Sequence, residues 1–222
     1  MMVKVRQYVG WSLGLLVILG IGMVMISPYV QLNPAQSRIR LESSFSLHYA
    51  LLTTHIFLAF IALVIGPLQF IPGVRRRFLF VHQNIGRVYL SCVLISGIAG
   101  FIVGLYTRDF TSQIAFLTLA VLWLISATMA YRAIRRRRIA EHFTWMVRNY
   151  AFTLVAVVAR IIVPLSILVQ LLRGHLSRPL NISQILDTTL GTGIWLALVL
   201  NLLVAEWLIL QRVQRTAKRG VI

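Results

Sequence analysis

Carboxylates are scarce in this chain. Five aspartates and glutamates stand against twenty-two lysines and arginines, a net charge of +17 over 222 residues. Charge of either sign is scarce as well, at 12% of residues where a soluble domain carries about 25%. Lipid as solvent accounts for that deficit, because an ionisable side chain at the bilayer centre costs several kcal/mol. Cysteine is nearly absent. Cys92 stands alone inside an apolar run, which excludes an internal disulfide, and a lone thiol supports no metal site. There is no P-loop, no dinucleotide-binding glycine motif, no Cys-x-x-Cys and no His-Glu-x-x-His. No carboxylate–histidine–serine set can be placed at one depth, so nucleophilic catalysis has nothing to rest on. Internal repeats and low-complexity tracts are missing too.

What is present is apolar, 59% of the residues. Crossing about 30 Å of hydrocarbon takes roughly 20 residues of helix, and six segments are long enough: residues 8–30, 47–71, 83–106, 112–132, 143–172 and 189–210. None alternates at period two as a barrel strand would, and only a helix closes its backbone hydrogen bonds within one segment. The first run follows Lys4 and Arg6 as a signal peptide would. It exceeds the about 7–15 residues of a secretory apolar region and carries no small-x-small cleavage signal, so it reads as a retained helix. The expectation is an all-α polytopic bundle of six transmembrane helices forming a single domain over residues 1–222.

The basic residues set the topology. Lys4, Arg6, Arg75 to Arg77, Arg132, Arg135 to Arg138, Arg212, Arg215, Lys218 and Arg219 fall on one side; Arg38, Arg40, Arg108, Arg173 and Arg178 fall on the other. The richer side is cytoplasmic, which places both termini there. Clustered in short runs between apolar segments, these charges suit anionic lipid headgroups and not nucleic acid. Pro28, Pro34, Pro72 and Pro179 sit at segment ends, whereas Pro67 and Pro164 should kink segments two and five or mark their last turns. Segment five is accordingly expected to end near Pro164, with a short amphipathic stretch after it.

At 100° per residue, segment two aligns His48, His55, Ala59, Ala62, Gly66 and Gln69. Segment three aligns His82, Gly86, Tyr89, Ser96 and Gly100, and segment five aligns His142, Met146, Asn149, Thr153, Ala156 and Arg160. Polar and small faces turn away from lipid and let helices approach, so the three stripes should face one another. Segments two to five then form a four-helix core, with segments one and six outside it.

Depth sorts the polar groups into two sets. Gln69, His82, Asn84, Arg87, His142, Arg148 and Asn149 lie near the cytoplasmic surface; His48, His55 and Arg160 lie in the outer half. Glu206 is the one carboxylate well inside an apolar segment, and Arg87 or Arg148 is its expected partner. His175, beside Gly174 in an outer loop, reads as solvated.

The string from His82 through Gly86, Arg87 and Tyr89, the string from His142 through Trp145, Met146, Arg148, Tyr150 and Ala151, and His55 with Gly66-Pro-Leu-Gln69 together resemble the DUF2306 family of bacterial membrane proteins. The resemblance covers residues 45–166 and leaves segments one and six largely outside. Many members carry Arg where this chain has Gln83. The resemblance implies a multi-pass protein of the bacterial inner membrane, and the family name assigns no activity.

Several readings of the inner histidines stay open. His82 and His142 share a depth, so one b-type haem iron between them is one reading, and a quinone headgroup is another. A divalent metal held with Gln69 or Glu141 is a third. Arg87 and Arg148 would face haem propionates or phospholipid phosphate. Equally, both histidines can be interfacial residues bonded to backbone carbonyls and headgroups. In the outer half, His55 and Arg160 are candidates for an anion, a quinone carbonyl or an ordered lipid. His48 and His55, about 10 Å apart along one helix, cannot share an iron, which disfavours a two-haem bundle. Two further functions compete with electron transfer: a non-catalytic subunit or assembly factor working with other membrane protein subunits, and a small-solute transporter with a path from His55 to His142.

Overall fold

The computed structural model describes the backbone of residues 2–173 and 182–217, and side chains from 13 to 173 and from 189 to 217. His175, Arg178, Pro179, Lys218 and Arg219 lie outside the described residues. Seven α-helices occur among those described: α1 (Met2–Ile26), α2 (His48–Ile65), α3 (Pro72–Arg77), α4 (Leu79–Gly104), α5 (Phe110–Arg135), α6 (Ile139–Leu172) and α7 (Ile182–Ala217). No strand is found among them. Five stretches are long and apolar enough to cross a membrane: His48–Phe70, Leu79–Gly104, Phe110–Arg135, Ile139–Leu172 and Thr189–Ala217. Leu13–Tyr29 is a shorter apolar helical stretch.

The bundle is apolar outside and partly polar within. Leu94, Ile95 and Ile98 of α4 and Val199, Leu203 and Trp207 of α7 face outward, while Ser96, Ser112, Ser126 and Asn149 are fully buried. Such a distribution places the low-dielectric solvent on the outside.

Local chemistry explains the breaks. Pro67 opens a 3-10 turn, Gly66–Phe70, that ends the second segment, and Pro72 starts the short α3 that carries Arg75, Arg76 and Arg77. Asp109 caps α5, its carboxylate accepting from the Ser112 amide at 2.7 Å. The turn from α5 into α6 is a Schellman arrangement. Arg137 takes a left-handed φ of 59°, its amide donates to the Ile134 carbonyl, and the Arg138 amide donates to that of Ala133.

Two expectations need correction. Segment five does not end near Pro164, because α6 runs through it to Leu172. Neighbouring Val163 is buried against α7 at Gly193, where an added Cβ would lie 2.5 Å from the Val163 methyl. Packing there offsets the hydrogen bond that proline forgoes. Nor does the last segment sit outside a four-helix core. Helix α7 packs most extensively on α6 and also touches α5, and it gives Ile194, Ala197 and Leu198 to the main buried cluster. Its small residues Gly191, Gly193, Ala197 and Ala205 allow that approach. By contrast α1 rests lightly on α2 and α6.

Candidate functional site

Polar side chains meet inside the bundle at four levels. At mid-depth, α4, α5 and α6 are joined by a closed network. The Tyr89 hydroxyl donates to Asn149 Oδ1 at 2.7 Å and lies 3.0 Å from Thr153 Oγ1. Asn149 Nδ2 donates to the Trp123 carbonyl at 2.9 Å and to Ser126 Oγ at 2.8 Å. The Trp123 indole donates to Thr153 Oγ1 at 3.0 Å, and the Thr153 hydroxyl donates to the Asn149 carbonyl. Every polar atom in this set has a partner. The stripes of α4 and α6 therefore do face each other, and the network occupies the level that a path from His55 to His142 would cross.

Slightly further out, α2 and α4 are clamped reciprocally. His55 Nδ1 donates to the Ser96 carbonyl at 2.9 Å and lies 3.1 Å from Ser96 Oγ, which donates in turn to the His55 carbonyl. Gly100 makes room for the ring, since a Cβ there would stand 2.5 Å from His55 Nδ1. Arg160 takes no part. It is exposed and donates to the Ala156 carbonyl one turn back on its own helix, and its charge acts on the His55 ring without a hydrogen bond to it among the described residues. The helical period puts its Cα at the end of the stripe, but the long side chain carries the charge outward.

At the outer end, His48 Nδ1 accepts from the Glu42 amide at 2.9 Å, and its ring tilts onto Phe45 and Tyr106. His48 Nε2, the Tyr49 hydroxyl and Ser112 Oγ are buried there without partners, but nothing brings the three together. Glu42 reaches Arg108 at 3.9 Å.

The inner end also keeps unmade bonds. Gln69, 6% exposed, has its Nε2 buried without a partner, and so does His82 at Nδ1. Gln69 Oε1 would lie 3.1 Å from a Cβ on Gly86, one turn along α4 from His82, so the two residues share a level. His142 is near enough for its charge to act on His82. Its Nδ1 lies 2.9 Å from the Ala130 carbonyl. A carbonyl only accepts, so Nδ1 carries a proton and donates it.

The nearby arginines are not part of this cluster. Arg148 pairs with Glu206 in a fork, Nε to Oε1 at 2.6 Å and Nη2 to Oε2 at 3.1 Å, and stacks on Trp145. That ion pair between α6 and α7 is the expected one. Arg87 faces outward and donates to Asn84 Oδ1 on its own helix. Neither is free for propionates inside the bundle. Glu141 bonds to Arg138 at 3.4 Å. Among the described residues no three His, Cys, Asp or Glu side chains come together.

The sequence reading missed what α5 contributes. Trp123 and Ser126 lie on its buried face with Ala115, Ala127, Ala130 and Ala133; the three- and four-residue spacing of these small residues is the signal that marks it.

A family model described as "Predicted membrane protein (DUF2306)" matches residues 52–209. That is more than half of the chain, which therefore belongs to this family. The match runs well into α7, beyond the limit at residue 166 that the His-led strings gave. No curated protein and no solved structure matches.

Proposed function

We propose that this DUF2306 protein is a six-span protein of a bacterial cytoplasmic membrane that holds a quinone headgroup at its inner end, within reach of membrane electron transfer. The first helix supplies the sixth span, and both termini are cytoplasmic. Supporting the orientation, Arg75, Arg76, Arg212 and Arg215 gather at one end of the bundle, away from the lone Glu42–Arg108 pair at the other.

The observation that carries the quinone reading is the buried, unpartnered Gln69 Nε2 at the level of His82. An unmade hydrogen bond inside a membrane bundle costs about 1–3 kcal/mol, so this donor is worth keeping only if something accepts from it. A quinone carbonyl accepts. After reduction the same ring carries hydroxyls that donate, and the Nδ1–H tautomer of His142, which the Ala130 carbonyl favours, would accept from one of them at Nε2. A donor amide and an acceptor imidazole at one depth thus match both redox forms of one ring.

A quinone assay on lipid extracts of gently purified protein tests this reading. About one quinone per chain is expected, falling at least tenfold in Gln69→Leu and His142→Ala. Protein that is folded and quinone-free, and that takes up no added short-chain quinone, would exclude it.

A single b-type haem between His82 and His142 is a second reading, favoured by the His142 geometry. A ring anchored through Nδ1–H to a carbonyl presents Nε2 as iron ligands do. An absorbance spectrum separates the two. A Soret band lost in His82→Ala and His142→Ala but kept in Gln69→Leu would put haem in place of quinone.

A further inference from the structure

Between α1, the end of α2, α6 and α7 lies a cleft of about 1100 Å³. It exceeds the about 300–1,000 Å³ of an ordinary small-molecule site. Its two parts differ in chemistry. Leu15 and Ile18 of α1 face Val147 and Leu154 of α6 and Val204 and Leu208 of α7 along an apolar trough. At its cytoplasmic end stand Arg75, Arg76, Arg212 and Arg215.

Among the described residues these four guanidinium groups have no counter-charge. Ion pairs among the described residues take up Arg108, Arg138 and Arg148, and none of the four. Two of them are drawn together on one ring, with the Arg212 guanidinium 3.5 Å and that of Arg75 5.9 Å from the Phe143 centroid. Phe143 is itself fixed edge-on to Phe70. Cation–π attraction holds each arginine, but two like charges on one platform repel unless an anion lies between them. Planar forks of this kind match phosphate oxygens.

We propose that this cleft is a binding site for one anionic glycerophospholipid, its phosphate held by Arg75 and Arg212 and an acyl chain laid along the trough between α1, α6 and α7. The lipid fills the space that the light packing of α1 leaves open and ties α1 to the rest of the bundle. The site contains none of Gln69, His82 and His142, so its test reads lipid retention and not quinone content.

Native mass spectrometry of the full chain, released from vesicles of mixed anionic and zwitterionic phospholipid, tests the proposal. One anionic lipid per chain should survive delipidation, and the double variant Arg75→Gln/Arg212→Gln should retain it at least tenfold less, at about 1 kcal/mol per basic residue. Arg135→Gln/Arg136→Gln removes the same charge from the same face outside the cleft and should retain the lipid as wild type does. Equal loss in both double variants would reduce the effect to bulk surface charge and overturn the site. Val204→Trp, which fills the trough and leaves the arginines intact, should also lose the lipid; full retention would remove the acyl chain from the proposal. Millimolar inorganic phosphate should not displace the lipid. If it does, or if zwitterionic lipid is held as well, the site is not the one described.

Discussion

The middle of the bundle and its inner end are built from the same residue types and behave in opposite ways. At mid-depth, Tyr89, Asn149, Thr153, Trp123 and Ser126 satisfy one another completely, and His55 is closed against Ser96. At the inner end, Gln69 and His82 keep buried nitrogens without partners, and four arginines stand without carboxylates. A saturated polar cluster in a membrane protein acts as adhesive between helices. On the function proposed above, the unsaturated one at the inner end is held ready for something that is not part of the chain. The difference lies in the hydrogen-bond accounting and not in the residue names, since histidine and an amide occur at both levels.

Substitutions can break this comparison. Gly100→Leu should have the largest effect, displacing the His55 ring from its clamp and overpacking α2 against α4. A loss of about 3 kcal/mol is expected in reversible unfolding from detergent micelles. Asn149→Leu should follow with a loss of about 2 kcal/mol in the same assay, as its bonds to Tyr89, Trp123 and Ser126 are removed. If either variant instead lowered ligand content without lowering stability, the middle would not be merely adhesive. Gln69→Leu should do the reverse, with ligand retention down at least tenfold and stability within about 0.5 kcal/mol of wild type, because no intramolecular bond of Nε2 is lost. A large loss of stability there would show that Gln69 is adhesive too. The smallest effect belongs to the loop between α5 and α6. Arg137→Gly should stabilise by about 0.5–1 kcal/mol, seen as a higher unfolding midpoint, because glycine takes the left-handed conformation without steric cost.

The sequence foretold the helices and their inward faces because lipid tolerates few alternatives. Tyr89, Asn149 and Thr153 meet across α4 and α6 as their spacing requires, His55 finds Ser96, and Glu206 finds Arg148. It could not tell which stripe atoms would be left over, because that depends on the rotation and register of neighbouring helices, which no single helical period encodes. Arg160 shows one consequence, since a position on the polar line does not oblige a six-atom side chain to stay there. Helix α7 shows another, because Gly191 and Gly193 announce close packing without saying against what. The arginines of the cleft were visible as topological charge, yet nothing in their spacing brings Arg75 and Arg212 to one phenyl ring. That meeting depends on the long side chains of Arg75 from α3 and Arg212 from α7 both reaching Phe143 of α6.

The central claim, that the inner end and not the middle is the ligand site, is tested most directly at the side-chain nitrogens. Nitrogen NMR of the protein in lipid, recorded with and without a short-chain quinone, resolves histidine Nδ1 and Nε2 and the glutamine amide separately. Shifts at His142 Nε2 and Gln69 Nε2, with His55 unmoved, are the predicted result. Unchanged inner nitrogens at saturating quinone, or a shift confined to His55, would contradict it.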